Sequence, residues 1–585
     1  MEYSTPRRNS YIIGRPIDEP ELFFGRESLF FFVEDNLREK SKVILLHGQR
    51  RIGKTSVLQQ IPSFFERREI QEFVFVNFDL QDKTSLSLSE ALYDLGIEIF
   101  EHLAYHLELI SEDRLTPPTT ADLEAKLELF SDDFLPQIYD ELGDKSLVLL
   151  LDEFDVLERN DNATSAYINF FPYLKSLIEQ HQRLFIIPVI GRNLDDLPKL
   201  LSLFKGAPYQ EIGLLDENSA RRLITKPAYN ILEYEEDAIK AILELSAGHP
   251  YFTQIICFAI FGRARELQNW KISRADVKAV IDKAIESAEA GLVWFFDGLS
   301  IPERVIVSAI AEVQKISNNL QPQESLTLLK NYGVNIKPLE EVARRLKENK
   351  VIWDDEKGKV KVELVRLWVL KRHPLRDEIR ELEKLEAEEV NRLWKLATQE
   401  QQQGKQQDAV ADYERILAIN PNHFRTIEAL AEEYLEVKNF EKAVELYRRA
   451  YQVNRIRNQD KFLRTLKIYG ERLLEQKELT RAEEQFSKIL EIEPDNLSAQ
   501  EKLQEINIAI KCEILNREVN TKSYNSQSSR RNTILILAAM MAVVGVIAFI
   551  VFGIYRWSIT CREGEQTIFG IPCQKNMRIN NPLSN

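Results

Sequence analysis

Gly48-Gln49-Arg50-Arg51-Ile52-Gly53-Lys54-Thr55 places two glycines around a four-residue spacer, followed at once by a lysine and a hydroxyl residue. This is the Walker A spacing, G-x-x-x-x-G-K-[ST], and its chemistry is phosphate binding. Glycine lets backbone N–H groups close around a phosphate, and the positive end of a following helix favours the anion. In that arrangement Lys54 reaches the β- and γ-phosphates and the Thr55 hydroxyl ligates Mg²⁺. A chance turn with two glycines would show no particular flanks. Here the apolar run Val43-Ile44-Leu45-Leu46 precedes the loop and a helical stretch from Ser56 to Gln60 follows it. Strand, loop and helix in that order imply a bound nucleoside triphosphate, with Gly48, Gly53, Lys54, Thr55 and Ser56 around its phosphates.

A second constellation supplies the acid–base half. The strand-like run Ser146–Leu151 ends in Asp152-Glu153. A carboxylate at the C-terminal edge of such a strand projects toward the phosphates, so Asp152 is expected on Mg²⁺. Glu153 is then the group that orients or deprotonates the attacking water. Arg192, in Gly191-Arg192-Asn193 after the next apolar run, could stabilise charge on the γ-phosphate or simply face solvent. Arg50 and Arg51 lie inside the loop, and the sequence does not assign them.

Elements that must position these residues follow from patterning. Apolar runs at 73–79, 146–152, 184–190 and 209–213 alternate with amphipathic stretches, the signature of a parallel α/β sheet covered on both faces. The run 73–79 falls between the Walker A strand and the aspartate strand in sequence, and that order, with glutamate directly after aspartate, marks the P-loop class that uses an additional catalytic glutamate (ASCE). The core is expected over 1–215, and 216–297 reads helical. Over 298–375, Ser300-Ile301-Pro302-Glu303 caps a helix and Pro338 opens another. The short runs Val351–Trp353 and Val360–Val362 then form a hairpin, completing a winged helix.

From 376 to 515 the chain repeats with a period of 34: Ala409, Tyr413 and Ile416 return as Ala443, Tyr447 and Ala450, and Leu396-Ala397 as Leu430-Ala431. A third copy, shifted by five residues, carries Gly470, Ala482, Phe486, Ile489 and Pro494. This is the tetratricopeptide period, an all-α solenoid whose helix pairs stack and offer a protein-binding surface. A polar linker at 516–532 leads to Thr533–Tyr555, which holds no charge and is long enough for a single transmembrane helix. Because ATP is cytosolic, 1–532 is placed in the cytosol and the tail 556–585 on the other side. In that tail Cys561 and Cys573 are close enough to pair if the compartment is oxidising. A net charge of −15 argues against broad attraction to nucleic acid, while 44% hydrophobic and 29% charged residues describe ordinary folded domains.

Four motifs in order, Phe24-Gly25-Arg26-Glu27, the Walker A loop, Leu150-Leu151-Asp152-Glu153-Phe154-Asp155 and Gly248-His249-Pro250-Tyr251, resemble the STAND ATPases, signal-transduction relatives of AAA+ proteins close to the archaeal-type ATPase group. The resemblance spans about 20–375 and implies that Arg26 contacts the base, that Pro250 packs on it from a helical lid, and that the winged helix closes over ATP or ADP. It also implies slow turnover, retained ADP, partner sensing by the repeats and ATP-dependent self-association. The β-phosphate histidine of many such winged helices has no evident counterpart, since His373 falls too late. Two other readings stay open: an origin-recognition-like DNA-binding ATPase, supported by Arg344, Arg345, Lys347, Lys350, Lys357, Lys359 and Lys361, and a membrane scaffold with a structural nucleotide.

Overall fold

The computed structural model describes residues 7–81, 83, 86–106, 115–154, 167–191, 205–316, 322–348, 353–354 and 359–524. Its contacts divide the chain into two units, Met1–Phe462 and Leu463–Asn585.

The first unit begins with a five-stranded parallel sheet. β1 (Leu45–His47), β2 (Phe73–Asp79), β3 (Ser146–Asp152), β4 (Leu184–Ile190) and β5 (Tyr209–Glu211) lie in the order β2-β3-β4-β1-β5. The strand wedged between the P-loop strand and the aspartate strand is β4, not the run 73–79 that separates them in sequence and forms the edge strand β2; β4 pairs Val189 with Leu46 on one side and Pro188 with Leu151 on the other. Leu147 to Leu151 are all buried, as expected for a strand covered on both faces. Each such side chain contributes about 1.5–3 kcal/mol. The carboxylate at the strand end is buried only with hydrogen-bond partners, without which its desolvation would cost far more than a neutral polar group's. Core packing therefore fixes Asp152 at the strand end.

Residues 216–297 form helices as the pattern predicts, with one addition. Glu233–Tyr234 (β6) and Lys271–Ile272 (β7) pair in parallel, and strands of two residues leave no periodic trace in sequence. The winged helix is present: helices Ile301–Ile316, Pro322–Asn331 and Lys337–Glu348 precede the antiparallel hairpin of β8 (Trp353–Asp354) and β9 (Lys359–Val360). Of the first expected run, Val351–Trp353, only Trp353 lies among the described residues, and it pairs with Val360. Ser300 and Glu303 make the cap, the Ser300 N–H donating to Glu303 Oε2 at 2.7 Å.

Helices Ala387–Gln402, Gln406–Ile419, Phe424–Glu436 and Phe440–Val453 follow. Ala397 and Ala431, Ala409 and Ala443, Tyr413 and Tyr447, and Ile416 and Ala450 are buried in phase with the 34-residue period. Leu396 departs from it: this residue is 44% exposed, whereas Leu430 is covered by the preceding pair. The second unit contains the end of helix Arg455–Glu475, then Leu479–Ile492 and Leu497–Tyr524. Where the third copy carries its five extra residues the helix is longer by eight, 21 residues against 13 for Phe424–Glu436. Gly470 is required there, since a Cβ would sit 2.8 Å from the Phe486 ring.

A polar clamp joins the winged helix to the first helix pairs. Asn422 accepts from the Asn335 N–H at 2.7 Å and donates to the Asn335 carbonyl at 3.1 Å. Arg449 donates to the carbonyls of Gly333 (3.1 Å) and Pro421 (2.8 Å). Gly333 has φ +78° and no room for a Cβ, which would meet the Arg449 carbonyl at 2.6 Å. Asn422 is 2% exposed, so Asn422→Ala strands two backbone groups. We expect a loss of about 2 kcal/mol, measured as a lower urea midpoint with unchanged helix content.

No helix among the described residues is long and apolar enough to cross a membrane. The segment 533–555 and the residues Arg192, Cys561 and Cys573 lie outside the described residues.

Candidate nucleotide site

Gly53, at φ +97°, ends the loop and caps the helix Lys54–Arg67, so the loop's last amides and the helix N-terminus point into the same space. Gly48 is needed for a different reason: a Cβ would stand 2.7 Å from the Ile212 carbonyl. The Thr55 hydroxyl donates to Asp152 Oδ2 at 2.6 Å, and the Glu153 N–H donates to Asp152 Oδ1 at 2.9 Å. Burial pushes the Asp152 carboxyl above its usual range, opposed by these two donors. The Lys54 ammonium lies 3.7 Å from Glu153 Oε1. Glu153 adopts φ +49°, a left-handed conformation that side chains rarely take outside functional sites. Loop, hydroxyl, carboxylate pair and lysine are therefore brought together as the sequence predicts.

A cavity of about 430 Å³ opens beside them, lined by Lys54, Thr55, Ser56, Glu153 and Pro250 among others. Pro250 opens the helix Pro250–Leu267 and faces this space as expected. Arg26 lines it too, yet its guanidinium is spent on the carbonyls of Gly213 (2.6 Å) and Ile52 (3.3 Å). Burial brings it down to about 10, with Asp216 opposing. Arg26 thus ties the P-loop to the segment after β5. Ser56 likewise holds protein rather than facing the cavity alone, its hydroxyl accepting from the Ile17 N–H at 2.9 Å.

Sequence reasoning missed the cavity's other wall, residues Ile12–Ile17. This segment is fastened at both ends: the Ile12 N–H donates to Gln254 Oε1 at 3.2 Å, and Gln60 Nε2 donates to the Ile17 carbonyl at 3.2 Å. Its only sequence signal is the extended-chain chemistry of Ile12-Ile13-Gly14-Arg15-Pro16. Tyr251 was missed as well; its ring carries the Arg51 guanidinium 5.2 Å above its centroid.

Ile212–Leu215, the link from β5 to the helices beyond, is gripped from three sides. The Ile212 N–H donates to the His47 carbonyl (2.6 Å), and the Leu215 N–H to the Gly248 carbonyl (3.0 Å). Cβ atoms on Gly48 and Gly248 would lie 2.7 and 2.6 Å from the Ile212 and Leu215 carbonyls. The glycines of these two motifs serve close backbone approach here.

Among the described residues, no cluster of three or more His, Cys, Asp or Glu gathers as an all-protein metal site. Thr55 and Asp152 instead offer the one or two ligands typical of Mg²⁺ shared with phosphates. The donor set, the helix N-terminus and the cavity fit a magnesium nucleotide. His373 is far from this role: its ring stacks 3.8 Å from Phe296 and its Nδ1 pairs with Glu378.

Fold and site together define a parallel α/β core bearing a P-loop, extended by helices and a winged helix. No family model matches the chain, and no curated protein matches it. Among solved structures it is similar to a Walker-type ATPase of Pyrococcus abyssi, at 18% identity and TM-score 0.46, over 61% of this chain and 98% of that one. It is similar also to the ORC2 protein of Aeropyrum pernix, at 15% identity and TM-score 0.39, over 59% and 93%. A third is the RuvB Holliday junction branch migration motor of Thermotoga maritima, at 15% identity and TM-score 0.30, over 58% and 92%.

His249 is fully buried, and burial together with nearby Arg26 pushes it down to about 3. The unfolded chain then takes up a proton near pH 6.5 that the folded chain refuses. Its contribution to stability is complete above that value and declines as the pH falls toward 3. Thermal midpoints should drop between about pH 7 and about pH 5, and His249→Gln should flatten that slope.

Proposed function

We propose that this chain is a STAND-like ATP-binding switch that hydrolyses ATP slowly and is anchored to a membrane through 533–555. The observation that carries the reading is the 2.6 Å Thr55–Asp152 bond with Glu153 beside Lys54 at the cavity rim. Lys54 and the loop amides would hold the phosphate chain, and Thr55 with Asp152 would hold Mg²⁺. The cation, when bound, neutralises phosphate charge. Glu153 orients the attacking water and takes its proton. The repeats bind a protein partner and the clamp passes that event to the winged helix. ATP-dependent self-association is the expected output. The chain to residue 532 would lie on the ATP side of the membrane.

A second reading, an origin-recognition-like DNA-binding ATPase, meets one geometric obstacle. The clamp occupies Gly333–Asn335, immediately before the third winged helix Lys337–Glu348. That is the helix end which helix-turn-helix proteins present to the major groove. Arg344 is also committed to Glu341. The scaffold reading leaves Glu153 unexplained, since a purely structural nucleotide needs no base there.

Lys54→Ala should abolish ATP and ADP binding. Glu153→Gln should retain binding and lower turnover by about 10²–10³-fold. Nucleotide binding by calorimetry and phosphate release read the two effects separately. Undiminished hydrolysis by Glu153→Gln would remove Glu153 from the mechanism.

A further inference from the structure

Tyr251 stands where three parts of the first unit meet. On one side its ring lies under the guanidinium of Arg51, a P-loop residue held at φ +62°. On the other it presses against the helix Ile281–Asp297: a Cβ on Gly291 would come within 2.7 Å of the ring and 2.8 Å of the hydroxyl. The same ring lines the large cavity. Beyond it a small void of about 20 Å³ is bounded by Arg51, Tyr251 and Gly291 together with Val360, Val362 and Val365 of the winged helix. A phosphate-binding loop, a lid residue, the helix leading to the winged helix and the wing itself thus share one contact.

A Walker loop is drawn into a single backbone conformation when its amides converge on phosphate. Arg51 sits mid-loop, so that conformation decides whether its guanidinium covers Tyr251. The attraction between guanidinium and ring favours the arrangement in which loop, tyrosine and helix are together. Because Tyr251 has no slack toward Gly291, moving the ring means moving the helix Ile281–Asp297. Whatever favours the phosphate-bound loop then favours the same helix position, and the coupling runs both ways. His373 does not compete for this role, being bonded to Glu378.

We propose that Tyr251 is the positioning residue through which the winged helix reads phosphate in the P-loop, acting between Arg51 and Gly291. The proposal rests on the nucleotide-switch reading given above. Its test is hydrogen exchange on the full chain with and without Mg·ADP, with ADP affinity measured separately. In the unaltered protein, ADP should slow exchange of the wing amides at 359–362 by about tenfold. Gly291→Ala, which lies outside the large cavity, should still bind ADP while the protection falls below about twofold. Tyr251→Ala should lose the protection too, and Tyr251→Phe, which keeps the ring, should retain it; this pair decides the matter if Gly291→Ala does not fold. Wing protection in Gly291→Ala and Tyr251→Ala as strong as in the unaltered protein overturns the proposal, as does ADP binding that leaves the unaltered wing unchanged. Failure of the unaltered protein to bind ADP overturns the nucleotide reading instead.

Discussion

A hydrogen bond between Thr55 and Asp152, residues 97 apart in sequence, is the contact on which the rest depends. It requires the helix after the P-loop and the end of β3 to meet across an intervening strand. β4 supplies the spacing, and its seven buried residues hold β1 and β3 in register. Slip either pairing by one residue and the carboxylate turns to the other face of the sheet. The placing of Glu153 is downstream of that packing. So is its left-handed backbone, which only a rigid surround can sustain.

Beyond the sheet, the first unit builds toward fewer independent bodies than its sequence segments suggest. The winged helix shares one continuous apolar cluster with the helices before it and with Phe424, Ile427 and Ala450 of the repeats. Asn335, Asn422 and Arg449 add a polar seam along the same boundary. Burial lowers the Arg449 guanidinium from its ordinary value, a cost tolerated because it donates to two carbonyls. The first helix pairs and the winged helix are therefore held to each other by both apolar and polar contacts.

Much of this was legible in the amino-acid order. Glycine spacing, apolar runs and the 34-residue phase located the loop, the five strands of the sheet and the in-phase alanines and tyrosines. Strand neighbours were not, because a strand buried on both faces reads as an unbroken apolar run and carries no mark of its partners. Arg26 was singled out only by the family resemblance, which implied contact with the base, whereas its geometry serves the Gly213 and Ile52 carbonyls. Ile12–Ile17 escaped notice because it works through backbone and shape, with no side chain of evident chemistry. Tyr251 was visible only as a neighbour of Pro250, since its partners Arg51 and Gly291 are distant in sequence.

The grip on Ile212–Leu215 has a mechanical consequence. Loops from β1, from the Gly25-Arg26 corner and from Gly248 all close on that short connector, with carbonyls too near for any side chain to intervene. A hinge needs backbone torsions that are free to turn, and here they are stapled. The helices beyond the sheet cannot swing open about their own root.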